Sequence, residues 1–388
     1  MNRSAAGAGT TAIGFGVETI TPGPSHWPIW LAGYGDRRDP ARVVHDDLEV
    51  RVMVARSDTV TVALVVCDLM AMSQDWANAI RSAVADELGV TVDRVLTSTV
   101  HTHAAPSTIT GTEALGWNVP HEWRTDLVVA CCSAARQASD SARPARLRSA
   151  RLGLPDALSF NRRGHSYAPT YCVVDVIDAD DEQRIGTIVN FSVHPVVLGP
   201  DNYDVSADWV GVCRREVEAR LGGATLFVQG CQGDVDPHGM SWDADVPTRF
   251  AAVARVGEDF ALAAVAGVAV AVDTTADRGV GIELTSRTIE IDATGSPMAA
   301  ITRREWLEVD LHEWSISGVQ FVSVPGEGFA QLGHAIVAAR SPVPTVLVGF
   351  APHWLGYFPV PFGEGYEEGL SYGAAAVDAI AAALTGSR

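Results

Sequence analysis

Four short segments carry side chains able to bind a metal or move a proton. The first is Val100-His101-Thr102-His103-Ala104-Ala105-Pro106. Histidines two residues apart share a face of an extended strand, so both rings can approach one metal or one substrate. In a loop they are ordinary polar residues. The second segment, Asn190 to Pro195, ends an apolar run at His194, and Asp208 follows just ahead of a helical pattern. Asp208 suits two tasks: serving the first turn of that helix, or fixing the tautomer of a metal-bound histidine. The third segment runs from Gln229 to His238 and holds Gly230, Cys231, Gly233, Asp234 and Asp236. Its glycines permit either a tight turn that buries Asp234 among hydrogen bonds or backbone N–H groups aimed at an oxyanion. Cys231 is a buried inert thiol or, as a thiolate, a nucleophile. The fourth joins Pro325-Gly326-Glu327-Gly328 to the aromatic stretch from Trp354 to Pro361. Glu327 opens a helical pattern, where the helix dipole favours an acid, and a carboxylate there equally suits zinc. The aromatic stretch suits a pocket wall.

The elements around these segments alternate. Strands are expected over 50–55 and 59–66, joined by the turn-like Arg56-Ser57-Asp58 into a hairpin. Further strands are expected over 95–100, 145–154, 171–177, 185–193, 225–228, 282–291, 319–324 and 345–349. Helices are expected over 76–88, stopped by Gly89, over 123–138, and over 209–221, closed by Gly222-Gly223. A long alanine-rich helix is expected over 248–272, another up to Ala339, and a last over 371–384. The fold class is α/β (mixed α+β), a single large catalytic domain over residues 1–388, with 1–11 as a flexible N-terminus. Histidines and carboxylates gather at strand ends, where loops converge on one crevice, so a metal site is expected there.

Composition narrows the function. Twenty-eight basic residues stand against 47 acidic ones, a formal charge of −19. That balance argues against nucleic acid and anionic membranes, which need a basic face. All 28 basic residues are arginine. Without lysine, Schiff-base, P-loop and kinase-type lysine chemistry is excluded. The first eleven residues lack an apolar stretch and do not resemble a signal peptide. The longest apolar run, 260–272, is too short to insert stably in a bilayer, which takes about 20 residues. The six cysteines show no CxxC spacing, as in a reduced, cytoplasmic protein.

Together the segments resemble the neutral (non-lysosomal) ceramidase family of zinc-dependent N-acyl hydrolases, in order and over most of the chain. Gly14 to Pro22 with Leu31-Ala-Gly-Tyr-Gly35 is similar to the family's N-terminal strand and glycine-tyrosine turn. Thr99 to Pro106 is similar to its HTHSGP element, and Asn161-Arg162-Arg163 to its Asn-Arg-Ser segment. Phe191 to Pro195 with Ser206-Ala-Asp208 resembles its second histidine block. Gly233-Asp234-Val-Asp-Pro237 resembles Gly-Asp-x-Ser-Pro, and Gly326-Glu327-Gly-Phe329 resembles Gly-Glu-Phe. The stretch around Tyr357, with Tyr366-Glu-Glu behind it, resembles the C-terminal tyrosine element.

The resemblance implies Zn²⁺ held by His101, His194, Glu327 and Tyr357. His103 would sit beside the metal, Asp208 behind it, and Arg162 would orient a substrate oxygen. Asp234 joins His103, Arg162 and Asp208 as a catalytic candidate. Tyr34, Gly230, Cys231 and Trp354 are the substrate-binding candidates. Two imidazoles, a carboxylate and a phenol leave zinc acidic enough to bring bound water near pKa ~7. Family ceramidases carry serine where this chain has Gly230 and Asp236, so water rather than serine is the expected nucleophile. The expected substrate is a small N-acyl or lipid-like molecule, and a homo-oligomer is compatible with the sequence. An esterase, a lactonase or an amide-forming acyltransferase would use the same metal; a ligand-binding pseudoenzyme would have lost it.

Overall fold

The computed structural model describes residues 11–110, 119–165, 169–274 and 281–386. The main sheet runs in the order Ala224–Gln229, Arg184–Phe191, Thr170–Asp178, Arg143–Gly153, Ala12–Thr19, Glu49–Arg56, Thr61–Cys67, Val95–Thr99. The outermost pair at each end is parallel and the inner pairs are antiparallel. Ala12–Thr19 meets Arg143–Gly153 only through Ala12↔Pro144 and Ile13↔Arg143. The sheet turns back on itself there, and its end strands Ala224–Gln229 and Val95–Thr99 come together.

This folding back explains the near-continuous apolar strands. In Glu49–Arg56, Val50, Val52 and Val54 face one core and Met53 and Ala55 face another. Thr61–Cys67 divides the same way, with Ala63, Val65 and Cys67 against Val62, Leu64 and Val66. One face meets helices Gln74–Leu88 and Arg124–Asp140; the other meets the returning half of the sheet, itself backed by helices Asp208–Leu221 and Val246–Ala269. A sheet buried on both faces reads as hydrophobic runs rather than alternation. Gly16 permits the close approach of Arg124–Asp140: a Cβ there would lie 2.0 Å from the Ala134 carbonyl oxygen.

The expected mixed α/β class holds, as do the hairpin and the helices, with ends shifted by a few residues; the alanine-rich helix ends at Ala269. Between 292 and 318 no element was expected, and the structure has the short helix Pro297–Thr302 and the strand Trp306–Ile316. That strand pairs along its whole length with Ile282–Asp292 and supplies Leu307, Val309 and Leu311 to a third core. The expected free N-terminus lies outside the described residues except for Thr11. Thr11 is buried, its carbonyl accepts from Ala145 N–H, and its hydroxyl accepts from Ser317.

The C-terminal sheet continues through Val319–Val324, which pairs in parallel with Thr345–Gly349. Its attachment to the main sheet places the site. The Asn190 side chain donates to Leu347 O at 2.9 Å and accepts from Leu347 N at 2.9 Å, imitating a strand partner. Ser98 Oγ donates to Gly349 O at 2.7 Å. The turn after Val324 is thereby held over the ends of Val95–Thr99 and Arg184–Phe191. Among the described residues no helix is long and apolar enough to cross a membrane.

Candidate metal centre

His101 follows Val95–Thr99 with φ of 71°, in the left-handed region. That conformation costs a non-glycine residue about 1–2 kcal/mol, so the surroundings must impose it. Its N–H donates to Leu69 O at 2.9 Å, Nδ1 lies 2.7 Å from Met70 O, and its ring stacks on Phe350 at 4.5 Å. His103 lies across Gly33, where a Cβ would be 2.4 Å from the ring, and meets the Tyr34 ring edge-on at 5.0 Å. His194 follows Arg184–Phe191. Its Nδ1 lies 3.1 Å from Val235 O, and Trp209 Nε1 donates to its carbonyl at 3.0 Å. Glu327 follows Val319–Val324 and sits in register with Tyr357 in a short parallel pair.

These side chains converge. Nitrogens of His101, His103 and His194 lie within 4.8 Å of one another. Glu327 Oε2 is 3.2 Å from His101 Nε2 and 3.6 Å from His194 Nε2. Burial works to raise the Glu327 pKa, but His101 and His194 outweigh it and hold the carboxyl well below its usual range. Burial, reinforced by the other two imidazoles, pushes the His103 pKa well down. Tyr357 is buried beside Glu327, and burial, then that carboxylate, pushes its pKa well up.

The donor set fits a cation. Carbonyl oxygens only accept, so Met70 O and Val235 O place the protons of His101 and His194 on Nδ1. Both Nε2 lone pairs then face Glu327 Oε2, a buried oxygen that accepts no well-aligned hydrogen bond among the described residues. His101 Nε2 also lies 3.1 Å from His103 Nε2, and electron-pair donors gathered this closely call for a bound cation or a shared proton between them. Imidazole nitrogens with a carboxylate oxygen are the ligands zinc takes.

Arg162 sits behind this cluster. It donates to Asp236 Oδ1 at 3.1 Å, Glu367 Oε1 at 2.8 Å, Tyr366 Oη at 2.8 Å and, more closely, Gly233 O. The Tyr366 hydroxyl is in turn hydrogen-bonded to that of Tyr357. Trp354 Nε1 donates to Glu327 Oε1 at 3.0 Å. His101, His103, His194, Glu327, Tyr357, Arg162, Tyr34 and Trp354 therefore belong to one neighbourhood.

Four other candidates lie differently. Asp208 bonds backbone rather than an imidazole: its carboxylate accepts from Leu198 N–H at 3.1 Å and Trp209 N–H at 2.6 Å. Asp234 accepts from Asn161 Nδ2 at 2.6 Å and from Ala330 N–H at 2.8 Å, at the start of helix Ala330–Arg340. The Gly230 N–H donates to Phe191 O at 2.8 Å, so it is already committed. Cys231 packs against Gly328 and Gly333 in the third core, and burial pushes its thiol up to about 12. The carboxylate beside the other nitrogen of His194 is Asp236, with Oδ1 3.4 Å from Nδ1. In the sequence Asp236 stands out only as the replacement of a family serine.

The fold and the cluster together define a mixed α/β frame with a candidate metal centre. The family model for the neutral/alkaline non-lysosomal ceramidase N-terminal region matches residues 12–241, and the chain belongs to that family of amide-bond hydrolases. Among solved structures, neutral ceramidase from Pseudomonas aeruginosa superposes with a TM-score of 0.78 at 17% identity, covering 97% of this chain and 73% of that one. A ceramidase solved in complex with C2 gives 0.77 at 17% identity, covering 97% and 74%. At that identity the likeness is one of fold. No curated protein matches the sequence.

Proposed function

We propose that this chain is a zinc-dependent amidohydrolase that cleaves the amide bond of a small N-acyl or lipid-like substrate with water. The observation that carries this is the convergence of two Nδ1-protonated imidazoles on the buried Glu327 oxygen, in a chain of the ceramidase family. His101, His194 and Glu327 would hold the metal, with Tyr357 as the fourth ligand. Bound zinc would supply a Lewis acid and lower the pKa of water toward ~7.

The chain's own residues supply the rest. His103 is half-buried within the cluster, and its imidazole would accept a proton from the attacking water. The same ring can return that proton to the leaving amine nitrogen. Arg162, held by Asp236, Glu367 and Tyr366, presents a fixed positive charge beside the site for the substrate oxygen. Trp354 directs Glu327 Oε2 toward the imidazoles by binding Oε1.

The test is bound metal in wild type and in His194→Ala, followed by product analysis on a series of N-acyl amides. About one zinc per chain, lost in the variant, with release of free acid and amine, is the expected result. Absence of zinc even after it is added back would defeat the proposal. Preferential acyl transfer to an added amine would redirect it to synthesis.

A further inference from the structure

We infer that Asp236 is a positioning residue, one carboxylate that fixes both the His194 imidazole and the Arg162 guanidinium. The inference rests on the zinc reading of the site. Its basis is a shared atom: Asp236 Oδ1 is 3.4 Å from His194 Nδ1 and 3.1 Å from Arg162 Nη1. The same Nδ1 lies 3.1 Å from the carbonyl of Val235, the preceding residue. The ring N–H thus points to the Val235 carbonyl, with the carboxylate of the next residue close beside it.

The backbone makes this placement rigid. Val235–Pro237 pairs antiparallel with Ser159–Asn161, setting Asp236 opposite Phe160. Arg162 N–H donates to Asp234 O at 2.9 Å, and His194 N–H donates to Val235 O at 3.0 Å. Asp236, Arg162 and His194 are therefore registered by main-chain bonds before their side chains meet. From Arg162 the contacts continue through Tyr366 to Tyr357, so Asp236 ties one candidate ligand to another across the site.

The charge matters as much as the geometry. A carboxylate charge beside one imidazole nitrogen strengthens the other as an electron-pair donor, and losing such a partner typically weakens metal binding about 10- to 100-fold.

The experiment compares wild type with Asp236→Asn, which keeps the shape, and Asp236→Ser. Zinc affinity is measured by chelator competition, and the Co²⁺-loaded proteins are compared by visible absorption. The expected result is a Kd weaker by about 10- to 100-fold and a shifted Co²⁺ spectrum, in variants that circular dichroism shows to be folded. Wild-type affinity and spectrum in both variants would overturn the inference. If wild type itself takes up no zinc, the zinc reading fails separately. Asp236 is then judged from metal-free crystal structures of wild type and Asp236→Ala. Displaced His194 and Arg162 side chains would support the positioning role; unchanged ones would overturn it.

Discussion

Trp354 Nε1 donates to Glu327 Oε1 at 3.0 Å and leaves Oε2 facing His101 and His194. The two residues come from different turns of the C-terminal region, and Trp354 N–H is itself anchored to Met72 O at 2.9 Å. The indole thus ties the orientation of a candidate ligand to the loop that also supports His101 through Met70. Trp354→Phe keeps the ring and removes the donor. Zinc affinity should fall by about 10-fold, in the range for lost ligand-orienting partners. Titration against a metal indicator measures this, and unchanged affinity would make the bond incidental.

Metal binding should appear as stability. A ligand that binds only the folded state at 100 times its Kd adds about 2.7 kcal/mol. Zinc should raise the melting midpoint of chelator-treated wild type, and His101→Ala should show no such rise. An equal rise in both proteins would place the zinc elsewhere.

Gly33 has φ of 103°, and a Cβ there would lie 2.4 Å from the His103 ring. Gly33→Ala should therefore displace His103 while leaving His101, His194 and Glu327 in place. Turnover should fall by about 10²- to 10⁴-fold, the range for losing a general acid–base group, with zinc stoichiometry retained. Loss of metal together with activity would instead make His103 a ligand.

Asp208 predicts a pH dependence. Burial pushes its pKa up to about 6, against the backbone N–H bonds of Trp209, Leu198 and Val197 that favour the anion. Its unfolded value is ~3.9. Between those values the folded state binds the proton more tightly, so stability falls as pH rises from about 4 to about 6. The change is about 3 kcal/mol. Urea unfolding of wild type and Asp208→Asn from pH 4 to 7 should show wild type losing ground to the variant as pH rises. Parallel curves would show that Asp208 does not titrate in this window.

Asp68 and Arg214 form a bidentate pair, both bonds 2.6 Å, buried between Thr61–Cys67 and the helix Asp208–Leu221. Asp68→Ala leaves the guanidinium charge without its main partner and should cost about 3–5 kcal/mol. Denaturant midpoints measure the loss. A cost below 1 kcal/mol would mean that Glu49, 3.3 Å from Arg214, takes over the pairing.

By itself the sequence determined which strands end in chemically able residues. Apolar runs stopping at His101 and His194, and the turn at Glu327, reflect local preferences that act over a few residues. The strand Trp306–Ile316 was legible as well: Leu307, Val309 and Leu311 alternate with Glu308 and Asp310, the period of a half-buried strand. Tertiary structure alone decided how the ends meet. The main sheet folds back where only two residue pairs join its halves, and Asn190 docks the C-terminal sheet onto it. It also decided which carboxylate serves which task. In one dimension Asp208 is the candidate partner of a metal-bound histidine, and nothing marks Asp236 for that task. Asp208 turns to the backbone at the start of its helix, whereas the pairing of Val235–Pro237 with Ser159–Asn161 sets Asp236 beside the imidazole. Register between strands distant in sequence is a property of the packed chain, and no local pattern encodes it.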